Sequence, residues 1–292
     1  VALSDDGRIV RMNRTARALL HVGDVPMFAP IASVIRDPEL RGALERSVVE
    51  ETQSRELEMG GHHVLLASRT LDQGGAVTTL LDMTELRHLE QVRRDFVANA
   101  SHELKTPLTS IRGYAETLLE ADPPDALRRQ FLDSIRNNTL RMQRLVDDLL
   151  DLSRLESGGW SAAREPVQLG EVLSEAWKIV GQHDLNAPTL RVEGDAVVFG
   201  DREGLVQIFR NLFENAIRHT ESSGTIRVRI QRDEAERMGR VSVSDSGDGI
   251  PAKSLPRIFE RFFRADSSRA RDVGGTGLGL SIVKHLVGAM GG

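Results

Sequence analysis

No cysteine occurs anywhere in the 292 residues. Disulfides, Cys-ligated zinc and thiol catalysis are thereby excluded, and the absence fits a reducing compartment. No stretch approaches the roughly 18 consecutive apolar residues of a membrane-crossing helix, and no charged segment leading into an apolar one opens the chain as a secretory signal would. On these grounds the chain is expected to be soluble. Surplus basic charge is missing too: 38 Lys and Arg stand against 43 Asp and Glu, a net charge of -5. With no basic face to neutralise a series of phosphates, direct nucleic-acid binding is not expected. An initiator Met is also lacking; Val1 opens in the middle of a strand-like pattern, as in a piece excised from a longer chain whose upstream part has room for membrane spans.

What is present is a globular composition, 40% hydrophobic and 28% charged. At roughly 100 to 150 residues per domain the length calls for two or three units, and the pattern divides into three, residues 1–83, 84–160 and 161–292. In the first, Val1 to Ser4 and Ile9 to Met12 flank the hairpin signal Asp5-Asp6-Gly7, and Asn13 suits the cap of a helix running to Leu20. Arg55 to Met59 and His62 to Leu66 flank Gly60-Gly61, a second hairpin signal, and Ala76 to Leu81 reads as a strand. This is a small α/β module without an evident cofactor signature.

From Thr84 the period becomes helical. Val97, Ala100, Leu104, Pro107, Ile111, Tyr114 and Leu118 keep a spacing of three and four, Ala121 to Asp125 with two prolines breaks the helix, and Phe131, Ile135, Asn138, Met142, Leu145, Leu149 and Leu152 form a second seam. A helical hairpin cannot cover such a stripe alone, so a four-helix bundle from two chains is expected. After a glycine linker the third unit has helical patterns at about 169–181, 203–219 and 277–288, and strands at Thr225 to Gln231 and Arg240 to Ser244. That order predicts an α/β sandwich rather than repeated βαβ units.

Four constellations carry chemistry. On the first long helix stands Ser101-His102-Glu103-Leu104-Lys105-Thr106-Pro107. His102 lies two positions before the seam residue Leu104 and so faces solvent, where a neutral imidazole is a competent nucleophile toward phosphorus. Glu103 is placed to take the ring proton, Thr106 shares the face of His102 one turn on, and Pro107 should kink the helix. In the second, Asn211, Asn215 and Arg218 share a polar stripe opposite Leu205, Ile208, Leu212 and Ala216. Amide oxygens suit Mg²⁺ and an arginine suits phosphate, although an amphipathic surface helix explains the stripe equally well. Third, Asp245-Ser246-Gly247-Asp248-Gly249-Ile250 follows a strand, a carboxylate able to accept a base's amino group beside glycines that let the ring approach, or a plain turn. Fourth, Gly274-Gly275-Thr276-Gly277-Leu278-Gly279 leads into a helix whose N-terminus attracts phosphates, without the Lys of a Walker loop or the preceding strand of a Rossmann turn. Between the last two lies the aromatic cluster Ile258 to Arg264, read as core, and Ala265 to Gly274 has the composition of a lid.

In this order the motifs resemble the sensor histidine kinases of two-component systems, over most of the chain. His102 to Pro107 resembles the H box, Asn211 to Thr220 the N box, Asp245 to Ile250 and Gly275 to Gly279 the glycine boxes, and Ile258 to Arg264 the F box. Asp82-Met83-Thr84 resembles the Asp-x-Thr signature ending a PAS sensor domain. The type looks closest to the phosphate-regulon sensors. The resemblance implies a multidomain α+β chain: a PAS-like module, a hairpin forming a dimeric four-helix bundle, and a GHKL α/β sandwich that binds ATP.

By the same resemblance His102 is the phosphoacceptor, Glu103 its acid/base partner and Thr106 the residue positioning water for dephosphorylation of a response regulator. Asn215, with Asn211, holds Mg²⁺; Asp245, Gly247 and Gly249 meet adenine; Arg218, His219 and Arg264 face the nucleotide; and Gly275, Thr276, Gly277, Leu278 and Gly279 line its phosphate side. Asn211 stands where related ATPases such as gyrase carry a water-activating Glu, which favours transfer over hydrolysis. Implied partners are a second copy of the chain and a response-regulator receiver domain, and the implied location is the cytoplasmic side of an inner-membrane sensor. Arg218 and His219 stand where Lys and Tyr are common, and Gly292 falls where the family continues with a strand hairpin, so the ATP-binding sheet is expected to be incomplete. An ATP hydrolase of the same superfamily and a non-catalytic dimerisation module remain alternatives.

Overall fold

The computed structural model describes residues 1–157, 159–181, 187–233, 238–265 and 275–292, in two compact units, Val1–Val97 and Ala98–Gly292. Alternating segments in the first unit lay down an antiparallel sheet of six strands: β1 (Ala2–Leu3), β2 (Arg8–Arg11), β3 (Ala29–Pro30), β4 (Thr52–Met59), β5 (His62–Thr70) and β6 (Ala76–Asp82). Their spatial order is β3-β2-β1-β6-β5-β4. Met59 pairs with His62 across Gly60 and Gly61, both at positive φ (57° and 82°), the geometry a two-residue hairpin with the sheet's own twist demands. Along β5 Val64, Leu66 and Ser68 are buried while their neighbours are less so, the period of two that turns one face inward.

That face is covered by three helices, α1 (Arg14–Leu19), α2 (Ile31–Val34) and α3 (Pro38–Arg46). Leu3, Ile9, Ile31, Leu40, Leu44 and Leu66 form the core between them. Asn13 caps α1 as expected, accepting from Ala16 N at 2.9 Å. The helix α3 was not anticipated, although Asp37, accepting from Leu40 N at 2.8 Å, and Pro38 at the first turn begin it in the standard way.

The long helix α4 (Thr84–Glu120) runs unbroken through Pro107, and α5 (Asp125–Glu156) follows after the two prolines. In the second unit Tyr114 stacks on Phe131 at 5.2 Å between ring centroids, joining the two seams near the hairpin turn. The rest of that unit contains β7 (Glu165–Gln168), α6 (Leu169–Gly181), β8 (Thr189–Glu193), β9 (Val197–Gly200), α7 (Arg202–His219), β10 (Thr225–Asp233), β11 (Met238–Asp245) and α8 (Gly279–Ala289). A three-stranded sheet has the order β11-β10-β8, with β10 antiparallel to β11 and parallel to β8; β7 pairs with β9 separately.

Buried Ile226 and Val228 of β10 alternate with exposed arginines and face the helices. On the helix side Phe213 is fully buried, with Trp177 edge-on at 5.4 Å. Of the packing stripe expected on α7, Ile208 and Ala216 are buried whereas Leu205 and Leu212 are only partly so, and Phe209 and Phe213 are buried as well, where α6 and α8 both pack on this helix. Helix α8 also packs against α5, which fastens the helical hairpin to the α/β layer within this unit. Among the described residues no helix is long and apolar enough to cross a membrane.

Candidate active site

On α4 the side chain of His102 is exposed, as its place two residues before the seam requires, while Pro107 is buried. The expected kink finds no break in the helix; Pro107 leaves the carbonyl of Glu103 without its helical donor, and one residue earlier the Thr106 hydroxyl donates to His102 O at 3.2 Å. Glu103 is not turned to the imidazole. Its carboxylate accepts from Arg141 of α5 at 2.9 Å, and the pair is largely shielded, with side-chain exposures of 16% for Arg141 and 30% for Glu103. Arg141 was missed in the sequence, where it falls three residues after the seam position Asn138.

The second cluster is a cradle of close approaches. Asp245 ends β11 and accepts from Gly247 N at 2.9 Å. A Cβ on Gly247 would lie 2.0 Å from the His219 carbonyl oxygen, so only glycine fits between that turn and the end of α7. Gly249, at φ +72°, has open space where a Cβ would be. On the opposite side, a Cβ on Gly275 would fall 2.7 Å from the Arg218 guanidinium, and one on Gly277 2.8 Å from the Cα of Phe262. Phe262 donates its N–H to Gly277 O at 2.9 Å and is itself at φ +61°, a conformation that costs a non-glycine residue about 1–2 kcal/mol. The aromatic cluster is therefore a brace for the glycine segment rather than core: Phe259 is 43% exposed and Phe262 and Phe263 are half-buried.

Asn211 departs from the solvent-facing stripe expected of it. It is 6% exposed, beneath the first residue of α8, with its Oδ1 3.5 Å from where a Cβ on Gly279 would lie. Among the described residues its buried amide nitrogen has no hydrogen-bond partner, an omission worth about 1–3 kcal/mol. Asn215, one turn on, remains partly open. The orphaned atom is an N–H donor, which a phosphate oxygen or a metal-bound water would satisfy, and the amide oxygens of Asn211 and Asn215 are the groups that would hold a hydrated Mg²⁺. Arg218 is mostly buried as well; loss of hydration pulls its guanidinium below the ordinary arginine value, with Glu214 opposing that and the charges of Arg144 and Arg264 adding to it. Arg218 and Arg264 thus share one electrostatic neighbourhood. The side chain of His219 is exposed, and what it contributes to the cradle is its carbonyl.

The cradle and α5 meet. Thr276 Oγ1 donates to Asp148 Oδ2 at 2.7 Å and accepts from Leu278 N at 3.3 Å. Gln207 of α7 donates to Asp151 at 2.6 Å, and Glu156 pairs with Arg261. Burial raises the carboxyl of Asp148 to about 6, with Thr276's hydrogen bond acting the other way. The stretch Ala265 to Gly274, read as a lid, lies outside the described residues except for its first one.

Residues 92–158 match the family described as His Kinase A (phospho-acceptor) domain, and residues 200–292 the family described as histidine kinase-, DNA gyrase B-, and HSP90-like ATPase. The chain is 34% identical over 306 aligned positions to the sensor histidine kinase WalK of Bacillus subtilis, covering 100% of this chain and 50% of that protein. It is 35% identical over 307 positions to the phosphate regulon sensor protein PhoR of Pseudomonas aeruginosa, covering 98% and 66%. The Acinetobacter baumannii histidine kinase AdeS shares the fold, with a TM-score of 0.50 at 23% identity over 64% of this chain and 86% of that one. The chain thus spans half of one of these relatives and 66% of the other.

Proposed function

The chain belongs to the sensor histidine kinases, and from that premise we propose that it transfers the γ-phosphoryl of Mg-ATP to its own His102 and then to an aspartate of a response regulator. The observation that carries this is the pairing, inside one compact unit, of an exposed imidazole on α4 with a glycine-built cradle fastened to the same helical hairpin. In the reaction the imidazole Nε2 lone pair attacks the γ-phosphorus, the bond to the β,γ-bridging oxygen breaks and ADP leaves. The ring's Nδ1 proton passes to Glu103, whose carboxylate is paired with Arg141 until then. Bound Mg²⁺ would neutralise phosphate charge. Asn211 has no basic group with which to activate water, which suits transfer rather than hydrolysis. Asp245 accepts from the adenine amino group, and Arg218, Arg264 and Thr276 face the phosphates. Thr106 positions the water that hydrolyses the phosphorylated regulator.

Two chains make the working unit. Val97, Leu108, Leu132, Leu140 and Leu150 are each about half exposed in the single chain, apolar surface that a four-helix bundle would cover. The first unit reads as a PAS sensor: Asp82 accepts from Thr84 N and Oγ1 at 2.9 and 2.5 Å, fixing the first residue of α4 to the last residue of the sheet. Attachment of the parent protein to a membrane, with this part on the cytoplasmic side, rests on the family resemblance.

Incubation with Mg and γ-labelled ATP tests the proposal. Base-stable, acid-labile label is expected on the chain and absent from His102→Gln, which should still bind ATP. Label that persists in that variant, or steady ATP hydrolysis without phosphoprotein, refutes it.

A further inference from the structure

The phosphate end of the cradle is not open in this structure; a carboxylate from α5 is hydrogen-bonded into it. Thr276 lies between Gly275, packed on the Arg218 guanidinium, and Gly277, held by Phe262, and its hydroxyl reaches 128 residues back along the sequence to Asp148. The same oxygen accepts from Leu278 N, so the N-terminal end of the eleven-residue helix α8 is organised around the Thr276–Asp148 contact. A carboxylate accepts hydrogen bonds as a phosphate oxygen does and carries the same sign of charge.

The surroundings suit an anion larger than one carboxylate. The charged groups that bear on Asp148 or its neighbour Arg218 are Arg144 and Asp151 on α5, Arg210, Glu214 and Arg218 on α7, and Arg264. Four of those six are arginines. The contact is part of a continuous interface: Asp151 receives Gln207, Glu156 meets Arg261, and Leu145 and Leu152, 2% and 0% exposed, are sealed on the same stripe of α5. A helix holding that many partners does not leave the cradle without a competing interaction to supply them.

We propose that Asp148 is an intramolecular competitor for the nucleotide's phosphates, so that Mg-ATP binds at Thr276 only by displacing the Asp148 carboxylate and loosening α5 from the cradle. This rests on the reading that Gly275 to Gly279 receives the phosphates. Asp148 is then a determinant of nucleotide affinity, acting from the helix that follows the phosphoacceptor helix. The carboxylate opposes ligands in proportion to the phosphate they bring and is indifferent to the base.

Calorimetric titration of the full chain and of Asp148→Ala and Asp148→Asn with Mg-ATP, Mg-ADP and adenosine tests this. Asn keeps the shape and an acceptor for Thr276 but removes the charge. Mg-ATP is expected to bind at least fivefold tighter to Asp148→Ala but no tighter to Asp148→Asn, which keeps the acceptor for Thr276 without a charge to bury, whereas adenosine binds all three equally. A purely structural role for Asp148 would move adenosine and ATP together, and that result overturns the proposal, as does unchanged or weaker Mg-ATP binding in both variants. Equal ATP binding by all three proteins removes the competitor and leaves the nucleotide site standing. No ATP binding by any of them removes both.

Discussion

The surface around His102 and the glycine-built cradle lie in the same unit and are built on opposite terms. Around His102 side chains stand in solvent on a helix held by its own backbone, and the neighbouring acid is tied to one arginine. In the cradle, backbone meets backbone and side chains fill the remaining space: Gly247 abuts a carbonyl, Gly277 abuts a Cα, Asn211 is buried and Arg218 is partly so. A nucleophile that must meet several partners in turn needs access and loses little by being mobile. A phosphate site needs donors fixed before the ligand arrives, since ordering them at the moment of binding would cost affinity. Substitutions should therefore be tolerated structurally around His102 and punished in the cradle.

The strongest break of that contrast is a methyl group in the cradle. Gly247→Ala sets a Cβ 2.0 Å from the His219 carbonyl oxygen, a backbone atom that can yield only if the end of α7 moves. Overpacking of this kind costs about 1–3 kcal/mol, and Mg-ATP affinity is expected to fall by more than tenfold on calorimetric titration. The matched change on α4, Lys105→Ala, should leave the melting temperature and ATP affinity of the chain within error, since Lys105 is exposed.

A middling effect is expected where the two regions are joined through chemistry rather than packing. Removing Arg141 takes away the cation paired with the Glu103 carboxylate. In Arg141→Ala the autophosphorylation rate should fall about tenfold, a part of the roughly 10²–10⁴-fold that a positioned acid–base group supplies, with ATP affinity unchanged. Arg141→Lys should recover part of the loss. Rates that fall together with ATP affinity would instead mark Arg141 as a structural support of the hairpin.

Much of this was legible in the sequence because it depends on local rules. Double glycine wrote the β4–β5 turn, the spacing of three and four wrote α4 and α5, and glycine-rich turns marked the cradle. What escaped depends on partners distant in sequence. Asn211 looks solvent-facing from α7 alone, and only the arrival of α8 buries it. Asp148 has the sign of a solvated helix residue, yet it sits three residues after Leu145 and four before Leu152, on the one stripe of α5 that is sealed; a charge flanked by deep seam positions was the available signal. Strand β8 was missed because its side chains are largely exposed and its place is set by parallel pairing with β10, which no local period records.

The smallest effect separates the regions by proton rather than by side chain. Burial, opposed by the hydrogen bond from Thr276, raises Asp148 to about 6, while Glu214 and Asp151 raise it further and Arg210 lowers it; displaced into solvent it returns to about 4. A carboxyl whose value is higher in the docked contact takes up a proton there first, so that contact gains stability as pH falls through 6 and is weakest above it. Linkage between these two values makes docking about fourfold more favourable at pH 5.5 than at pH 7.5. Nucleotide binding, which requires undocking, should weaken by that factor in the wild-type chain beyond any loss in Asp148→Asn, where the titrating group is gone. Comparing the two proteins cancels protonation of the nucleotide and of every group that both retain. Parallel pH profiles for the two would place Asp148 outside the competition and assign the contrast between the regions to packing alone.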